Sequence, residues 1–417
     1  MTKPNVVREG DAIVFTWAGI EISLDRFAEE RNTLTAEIVV ASRIEDYRLL
    51  HSARFNLSST QARSTLAKSL SERMDADWGG MLEQVCFIAT AMYRDGEPTV
   101  DLSTVTPQAA RWLLYPYVEY GGPTVLFAEG ASGKSVLALA IGATVAGGQT
   151  FIGKPASAPV SVLYLDYETS ADVHAMRLNA LRASNGLSLV QPIFYRPMRS
   201  SLAEAAAAVR REIDKLKVGL VIVDSLGPAA NGDLRDGTTA LQIFTAVRSF
   251  KVPTLCIHHK RKNPDGAKSK ADMYGSVYFA NWARVVWEID TVSHEGEDTI
   301  VAGLINSKMN NGRLAQKHAW NIHFINKPEE CAGIEIKRTA FNAVAEFRPR
   351  ISMPEQILEQ LSRGPMALED IATALEAKPA TIKSRLYEMK GKGKVHKVDE
   401  TLWGARASER ISAGEYN

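Results

Sequence analysis

The feature that most constrains the chain is Gly133-Lys134-Ser135, set between the apolar run Pro123-Thr-Val-Leu-Phe127 and a helical run that begins Val136-Leu-Ala-Leu-Ala140. A strand that turns through small residues into a helix aims backbone N–H groups at the helix start, where an anion is stabilised. Lys134 adds a cation for the outer phosphate oxygens, and Ser135 adds a hydroxyl for a divalent cation. The segment Ala128, Glu129, Gly130, Ala131, Ser132, Gly133, Lys134, Ser135 therefore reads as a cradle for a nucleotide's phosphates, with ATP and Mg2+ the expected ligands. Ala128 stands where such loops usually open on Gly. An Ala takes that place if its φ is negative, which leaves Gly130 to supply flexibility.

The 417 residues exceed one ordinary core, and 45% hydrophobic with 23% charged residues is a globular balance. No apolar run approaches the roughly 20 residues that span a bilayer. The first ten residues lack an apolar stretch behind their basic groups, so a cytoplasmic location is expected. Cys86, Cys256 and Cys331 lie far apart in apolar surroundings, which fits reduced, buried thiols and offers neither a disulfide nor a zinc-ligand spacing. Net charge is +1, yet it is uneven: residues 1–110 hold 11 Lys+Arg against 16 Asp+Glu, and 378–397 hold seven basic residues against Glu388 alone.

Three domains are expected. Residues 1–106 read as a small α+β domain, with alternating strands in 12–57 and two helical stretches from about Ser59 to Tyr93. Residues 107–349 alternate short β-branched runs, at 160–165, 192–195, 220–223 and 254–258, with longer helical ones such as 202–216. That alternation predicts an α/β fold, a mostly parallel sheet covered by helices, with an antiparallel extension at 299–305 and 320–325. Residues 350–417 open on Ser352-Met-Pro-Glu355, a capping box for a helix reaching Leu361. Helices at 368–375 and 379–390 and a hairpin-like 394–403 follow, the order of a winged helix-turn-helix domain.

Acids at two strand ends complete the chemistry. Leu220-Val-Ile-Val-Asp224 is an apolar strand ending in a carboxylate, which in phosphate-loop enzymes holds the Mg2+ shell together with Ser135. Val162-Leu-Tyr-Leu-Asp166-Tyr-Glu168 places two more acids at the end of a neighbouring strand, where a base can orient the attacking water. Glu168 is favoured over Asp166, although either can instead cap the helix that starts near Ser170.

The phosphate loop, Glu168, Asp224, the pair His258-His259 ending the next strand, and Gly275-Ser-Val with Arg284 occur in the order of RepA-type hexameric helicases. The chain resembles these and the wider RecA and DnaB superfamily over about residues 110–326. The resemblance implies a RecA-like fold, ring assembly as a homo-oligomeric hexamer, His259 as a sensor between the γ-phosphate and the nucleic acid, and Arg284 offered to a neighbouring subunit's ATP. From the residues alone, one histidine of the pair can equally be a core residue, and Arg284 can pair with Glu288 one helical turn on. The family's later basic pair survives here only as Lys308-Met-Asn310 with Arg313 beyond, so the charge crossing the interface is left open among Arg284, Lys308 and Arg313.

By the same resemblance, the loop that follows His259 faces nucleic acid. It carries Lys260, Arg261, Lys262, Lys268 and Lys270, a flexible set of cations suited to single-strand phosphates, but no aromatic residue for stacking. Lys383 and Arg385 lie on the third helix of the C-terminal module, which can hold duplex or forked DNA, or dock a replication protein. The leading expectation is an Mg-ATP-driven DNA helicase or translocase of phage or plasmid replication. A recombination or mediator ATPase and an ATP-switched DNA-binding regulator are the alternatives.

Overall fold

The computed structural model describes residues 3–9, 12–44, 47–96, 99–106, 112–155, 158–260, 273–275, 277–293, 297–327 and 330–406. These divide into two compact units, 1–111 with 202–218 and 112–201 with 219–417.

The first unit holds strands β1 (Asn5–Glu9), β2 (Ala12–Trp17), β3 (Ile20–Glu30), β4 (Thr33–Ser42) and β5 (Arg48–Asn56) in one antiparallel sheet of that order. Alternation sends Ile13, Phe15, Ile22, Leu24, Leu34 and Ile38 to one face. That face packs with Leu66 and Leu70 of helix α1 (Thr60–Ser71) and with Trp78, Leu82, Val85 and Ala89 of α2 (Trp78–Asp95). Ser59 and Asp77 cap the two helices through their side chains.

The second unit continues with β6 (Trp112–Tyr115), β7 (Val118–Glu119), β8 (Thr124–Ala128), α3 (Lys134–Gly147), β9 (Lys154–Pro155), β10 (Ser161–Asp166), α4 (Ala171–Asn185) and β11 (Ile193–Pro197). Helix α5 (Leu202–Leu216) groups with the first unit, where Arg211 meets Asp25 at 3.0 Å. Then come β12 (Val218–Asp224), α6 (Leu226–Ala229), α7 (Gly237–Ser249), β13 (Thr254–His259), α8 (Tyr278–Trp282), β14 (Val285–Ser293), β15 (Thr299–Met309), β16 (His318–Lys327) and β17 (Glu330–Thr339).

The central sheet runs β11-β10-β12-β13-β8-β14-β15-β16-β17. Parallel pairing joins β10 to β11, β12 to β13, and β8 to both β13 and β14, and the last three strands are added antiparallel. The α/β expectation holds, but β14 was read as helical ground for an Arg284–Glu288 pair. It is a strand inserted beside β8, and its buried run Val285–Ile289 is what a central strand requires.

Helix α3 is buried nearly all round, as a helix at the centre of an α/β layer must be. Its small residues allow this. At Gly147 an added Cβ would stand 2.4 Å from the Ser188 carbonyl oxygen.

The last segment, α9 (Met353–Ser362), β18 (Met366–Ala367), α10 (Leu368–Ala374), α11 (Pro379–Gly391), β19 (Val395–Lys397) and β20 (Leu402–Ala405), closes on its own core of Ile357, Leu361, Ile371, Ile382, Leu386, Val395 and Trp403. The capping box of Ser352 and Glu355 is formed as read. Cys86 and Cys256 are buried free thiols, whereas Cys331 is only half-buried, at odds with the expectation of three buried ones. No helix among the described residues is long and apolar enough to cross a membrane.

Candidate active site

The phosphate loop leaves β8 at Ala128 and enters α3 at Lys134. Ala128 ends the strand without a positive φ, as its opening position requires. The positive φ angles fall instead on Ala131 (56°) and Gly133 (75°), so the loop's tight bend is not made at Gly130. Ser132 Oγ donates to Glu129 O at 2.8 Å and closes the loop on itself. Lys134 is buried, and its ammonium lies back along the loop, donating to Glu129 O, to Ser132 Oγ at 3.2 Å and to Ala128 O at 3.4 Å. Burial lowers its pKa, against the pull of Asp224, Glu168 and Glu129. The cation is thus held among acceptors at the start of α3, where the helix N–H groups already favour an anion.

Asp224 ends β12, fully buried, and the peptide that follows it is cis. Tyr164 of β10 donates its hydroxyl to Asp224 Oδ2 at 2.6 Å, and Ser135 also hydrogen-bonds this carboxylate. Burial raises the Asp224 pKa, and these two hydrogen bonds oppose it.

Asp166 and Glu168 separate cleanly. Asp166 accepts from Glu168 N and Thr169 N at 3.1 Å each and from the hydroxyls of Thr169 and Tyr195 at 3.0 Å, and buried His174 stands 3.3 Å from it. With those donors satisfied, Asp166 braces the turn after β10 and has little capacity left for a water. Asp166, His174 and Asp224 also lie close enough to hold an ion, but the donors around Asp166 account for its charge. Glu168 instead faces the cleft. Ser225 Oγ donates to its Oε1 at 2.5 Å, and His259 Nε2 is 3.5 Å away. Its pKa falls to about 2, first through the hydrogen bond with His259, against burial, and then through Ser225 and the charge of Lys134.

The two histidines divide as strand alternation directs. His258 is fully buried, bonded to the Tyr274 carbonyl at 2.7 Å and tilted against Phe279, and burial holds its pKa down at about 4. His259 is half-buried and belongs to the cleft.

A cavity of about 320 Å³ is lined by Gly130 to Val136, Glu168, Asp224 and His259, and also by Arg177, Ile300 and Phe324. Three of these lining residues, together with Ser225, went unread in the sequence. Arg177, nine residues after Glu168 and in the first half of α4, carried no signal of its own. Ile300 and Phe324 had none, because only the pairing of β15 with β16 brings them to the loop.

The remaining residues scatter. Arg284 is exposed, its stem lying over Gly122, and among the described residues it makes no ion pair. Glu288 is occupied elsewhere, by Arg350 at 2.5 Å and by Lys260 at 3.3 Å. Lys308 caps the end of α8 by donating to Ala280 O and Asn281 O, and Arg313 is exposed.

Lys260, expected on the nucleic-acid loop, is largely buried and bound in a network with Glu288, Asp290 and Arg350, so it is not a free cation there. A strand-end lysine beside two carboxylates on β14 is neutralised locally before it can serve a distant phosphate. Arg261, Lys262, Lys268 and Lys270 lie outside the described residues. In the C-terminal segment Lys383 is exposed and, among the described residues, unpaired, whereas Arg385 is held by Glu388 at 2.7 Å.

A mostly parallel, helix-covered sheet with a phosphate loop entering α3, an acid just beyond β10 and an aspartate ending β12 defines the RecA-like P-loop ATPases. Residues 90–265 match the family described as AAA domain, a stretch that contains the loop, Glu168, Asp224 and His259. Residues 90–265 therefore belong to an AAA-type ATPase domain of RecA-like fold; the match does not reach the narrower resemblance to RepA-type helicases. No curated protein matches by sequence. Similar solved structures include the flagellar accessory protein FlaH of Methanocaldococcus jannaschii, 12% identical over 52% of this chain and 90% of that one, with a TM-score of 0.33. A KaiC-like protein of Pyrococcus horikoshii OT3 is 15% identical over 56% of this chain and 100% of that one, with a TM-score of 0.36.

Proposed function

We propose that the chain is an Mg-ATP-driven DNA helicase or translocase of the ring-forming kind, serving phage or plasmid replication. The observation that carries this reading is the position of His259. It touches Glu168 on the cleft side, and the strand that bears it runs directly into the basic segment 260–270. A change at the γ-phosphate and a change in that segment are then mechanically linked.

In this reading the loop N–H groups and Lys134 hold the phosphates, and Glu168 orients the attacking water while His259 and Ser225 fix its carboxylate. The oxygen donors Ser135 and Asp224 suit Mg2+, which when bound neutralises charge developing on the phosphates. Arg284, exposed and without an ion pair among the described residues, is the residue best placed to act on a neighbouring subunit, since Lys308 is committed to α8. The three helices with the β18-β20-β19 sheet support a winged-helix module, and exposed Lys383 supports its contact with duplex DNA.

One observation favours the switch alternative. Arg350, just before α9, joins the network that holds Lys260, so nucleotide state can reach the C-terminal helices without any DNA being unwound. ATP turnover with and without single-stranded DNA, strand displacement on a fork, and oligomeric mass test the proposal together. Stimulated turnover, displacement and a ring mass are expected. Turnover indifferent to DNA with no displacement would replace it with the switch.

A further inference from the structure

The first unit leaves one edge of its sheet uncovered. Strand β5 ends the sheet order and, among the described strands, pairs with β4 alone. Its His51, Ala53 and Phe55 stand opposite Val40, Ile38 and Ala36, all fully buried, so they belong to the face that α1 and α2 cover. Phe55 is buried as that position requires, but Ala53 is exposed and His51 only half-buried. The helical layer stops short of the middle of β5. There a cavity of about 520 Å³ opens between His51, Ala53 and Arg54 on the strand and Ala62, Thr65 and Ser69 along one side of α1.

The charge around this groove runs against that of the unit. Residues 1–110 are acidic on balance, yet no acid occurs between Asp46 and Glu72, a stretch that holds Arg48, Arg54, Arg63 and Lys68. Arg63 is paired with Glu83 at 2.7 Å, whereas Arg48, Arg54, Lys68 and the following Arg73 form no ion pair among the described residues. Arg54 donates to Arg26 O at 2.6 Å and to Thr35 Oγ1 at 2.7 Å, and Arg73 donates to Leu50 O, so both guanidiniums are fixed without being neutralised. Burial and then the charge of Arg73 lower the pKa of His51, which puts positive potential in the groove itself.

We propose that the β5 edge is a docking site for an extended acidic segment of a partner protein, which adds to the sheet as a further strand and turns alternate side chains into the groove. Strand addition satisfies the backbone N–H and C=O groups that an open edge presents to water, and room for alternate side chains selects the guest. Beside β5 the groove is walled by small side chains, Ala53, Ala62 and Ser69, which leaves space for a β-branched residue facing Ala53. Guest residues on the other face come alongside Arg54, where a carboxylate is favoured. A second copy of β5 is disfavoured, because self-pairing would set two strands bearing Arg48 and Arg54 and no acid against each other. A nucleic acid offers no peptide groups to this edge, and no aromatic side chain lines the groove to stack a base.

Fluorescence anisotropy of the full chain with a labelled peptide that alternates valine and glutamate tests this, beside the same peptide with lysine for glutamate, its N-methylated form and a single-stranded oligonucleotide. The glutamate peptide should bind saturably and weaken as salt is added. The lysine and N-methylated peptides should bind about tenfold more weakly or worse, the first for charge and the second for lost backbone pairing. Ala53→Trp, which fills the groove without changing its charge, should weaken the glutamate peptide by about tenfold, and Arg54→Gln by several-fold. Thr65→Trp fills the groove from the helix side and takes the place of Ala53→Trp if urea unfolding shows that variant to be unfolded. The inference is overturned if the glutamate peptide does not bind, if its N-methylated form binds as well, or if a folded groove-filling variant binds unchanged. Oligonucleotide binding that the groove-filling variant abolishes would assign the edge to nucleic acid instead. A disulfide between two Ser52→Cys chains, absent from wild type, would assign it to a second copy.

Discussion

Replacing His259 with Ala should release Glu168 toward an ordinary carboxylate. In the folded chain this group lies at about 2 rather than 4.5, drawn down first by His259 and, after the opposing effect of burial, by Ser225. A folded pKa below the unfolded one means that the ionised carboxylate stabilises the fold above about pH 4.5, and that this stabilisation is lost as pH falls from there toward 2. By linkage the full difference corresponds to about 3 kcal/mol. However, 37% of the Glu168 side chain and 41% of the His259 side chain face solvent, and screening reduces the contribution to roughly 1 kcal/mol. Urea unfolding of wild type, His259→Ala, Glu168→Gln and the double variant gives the coupling between the two residues at each pH. It should be several tenths of a kcal/mol or more at pH 5.5, on the order of an exposed ion pair, and should fade toward pH 2. No coupling at pH 5.5, or coupling undiminished at pH 2.5, would refute the claim that the imidazole holds the carboxylate. The same low pKa makes Glu168 a weak proton acceptor, suited to orienting water.

Lys134→Ala should abolish nucleotide binding, whereas Glu168→Gln should keep binding in a calorimetric titration and lose turnover by about 10²-fold or more. Wild-type turnover by Glu168→Gln would make Asp166 the candidate despite its satisfied oxygens. Arg350→Ala leaves Glu288, whose side chain is 6% exposed, with Lys260 alone and should cost about 1–3 kcal/mol in urea unfolding. Adding Glu288→Gln should recover part of that loss, and strictly additive effects would count against the network. Mixing Lys134→Ala with Arg284→Ala chains should restore some turnover if the arginine acts on a neighbour, and mixtures as inactive as their parents would exclude that role.

The site was readable where its chemistry is local. A phosphate loop needs an apolar strand, small residues and a helix in direct succession, and Ala128 to Ser135 carries all three within a few residues. Asp224 announces itself the same way, as a carboxylate ending a buried strand, and Ser352 with Glu355 specifies a helix start within one turn. Strand alternation was enough to part buried His258 from cleft-facing His259. The sequence could not part Glu168 from Asp166 by environment; only the turn that engages Asp166 through Thr169 and Tyr195 leaves Glu168 as the acid facing the cleft.

Whatever depended on partners distant in the chain waited for the packed molecule. Arg284 and Glu288 look like one turn of helix in isolation, yet β8 recruits the following residues as a strand, because a buried Val-Val-Trp run gains more by pairing inside a sheet than along a helix. Lys260 looked like the first cation of a basic loop until β14 set Glu288 and Asp290 beside it, and a half-buried charge takes the nearest opposite charge available. Phe324 and Ile300 reach the nucleotide cleft only through antiparallel pairing of two strands whose own residues record nothing of their neighbours. Periodicity and end signals act over a few residues and survive in the sequence; strand order and charge pairing are settled by competition among segments far apart in the chain, which only the completed fold resolves.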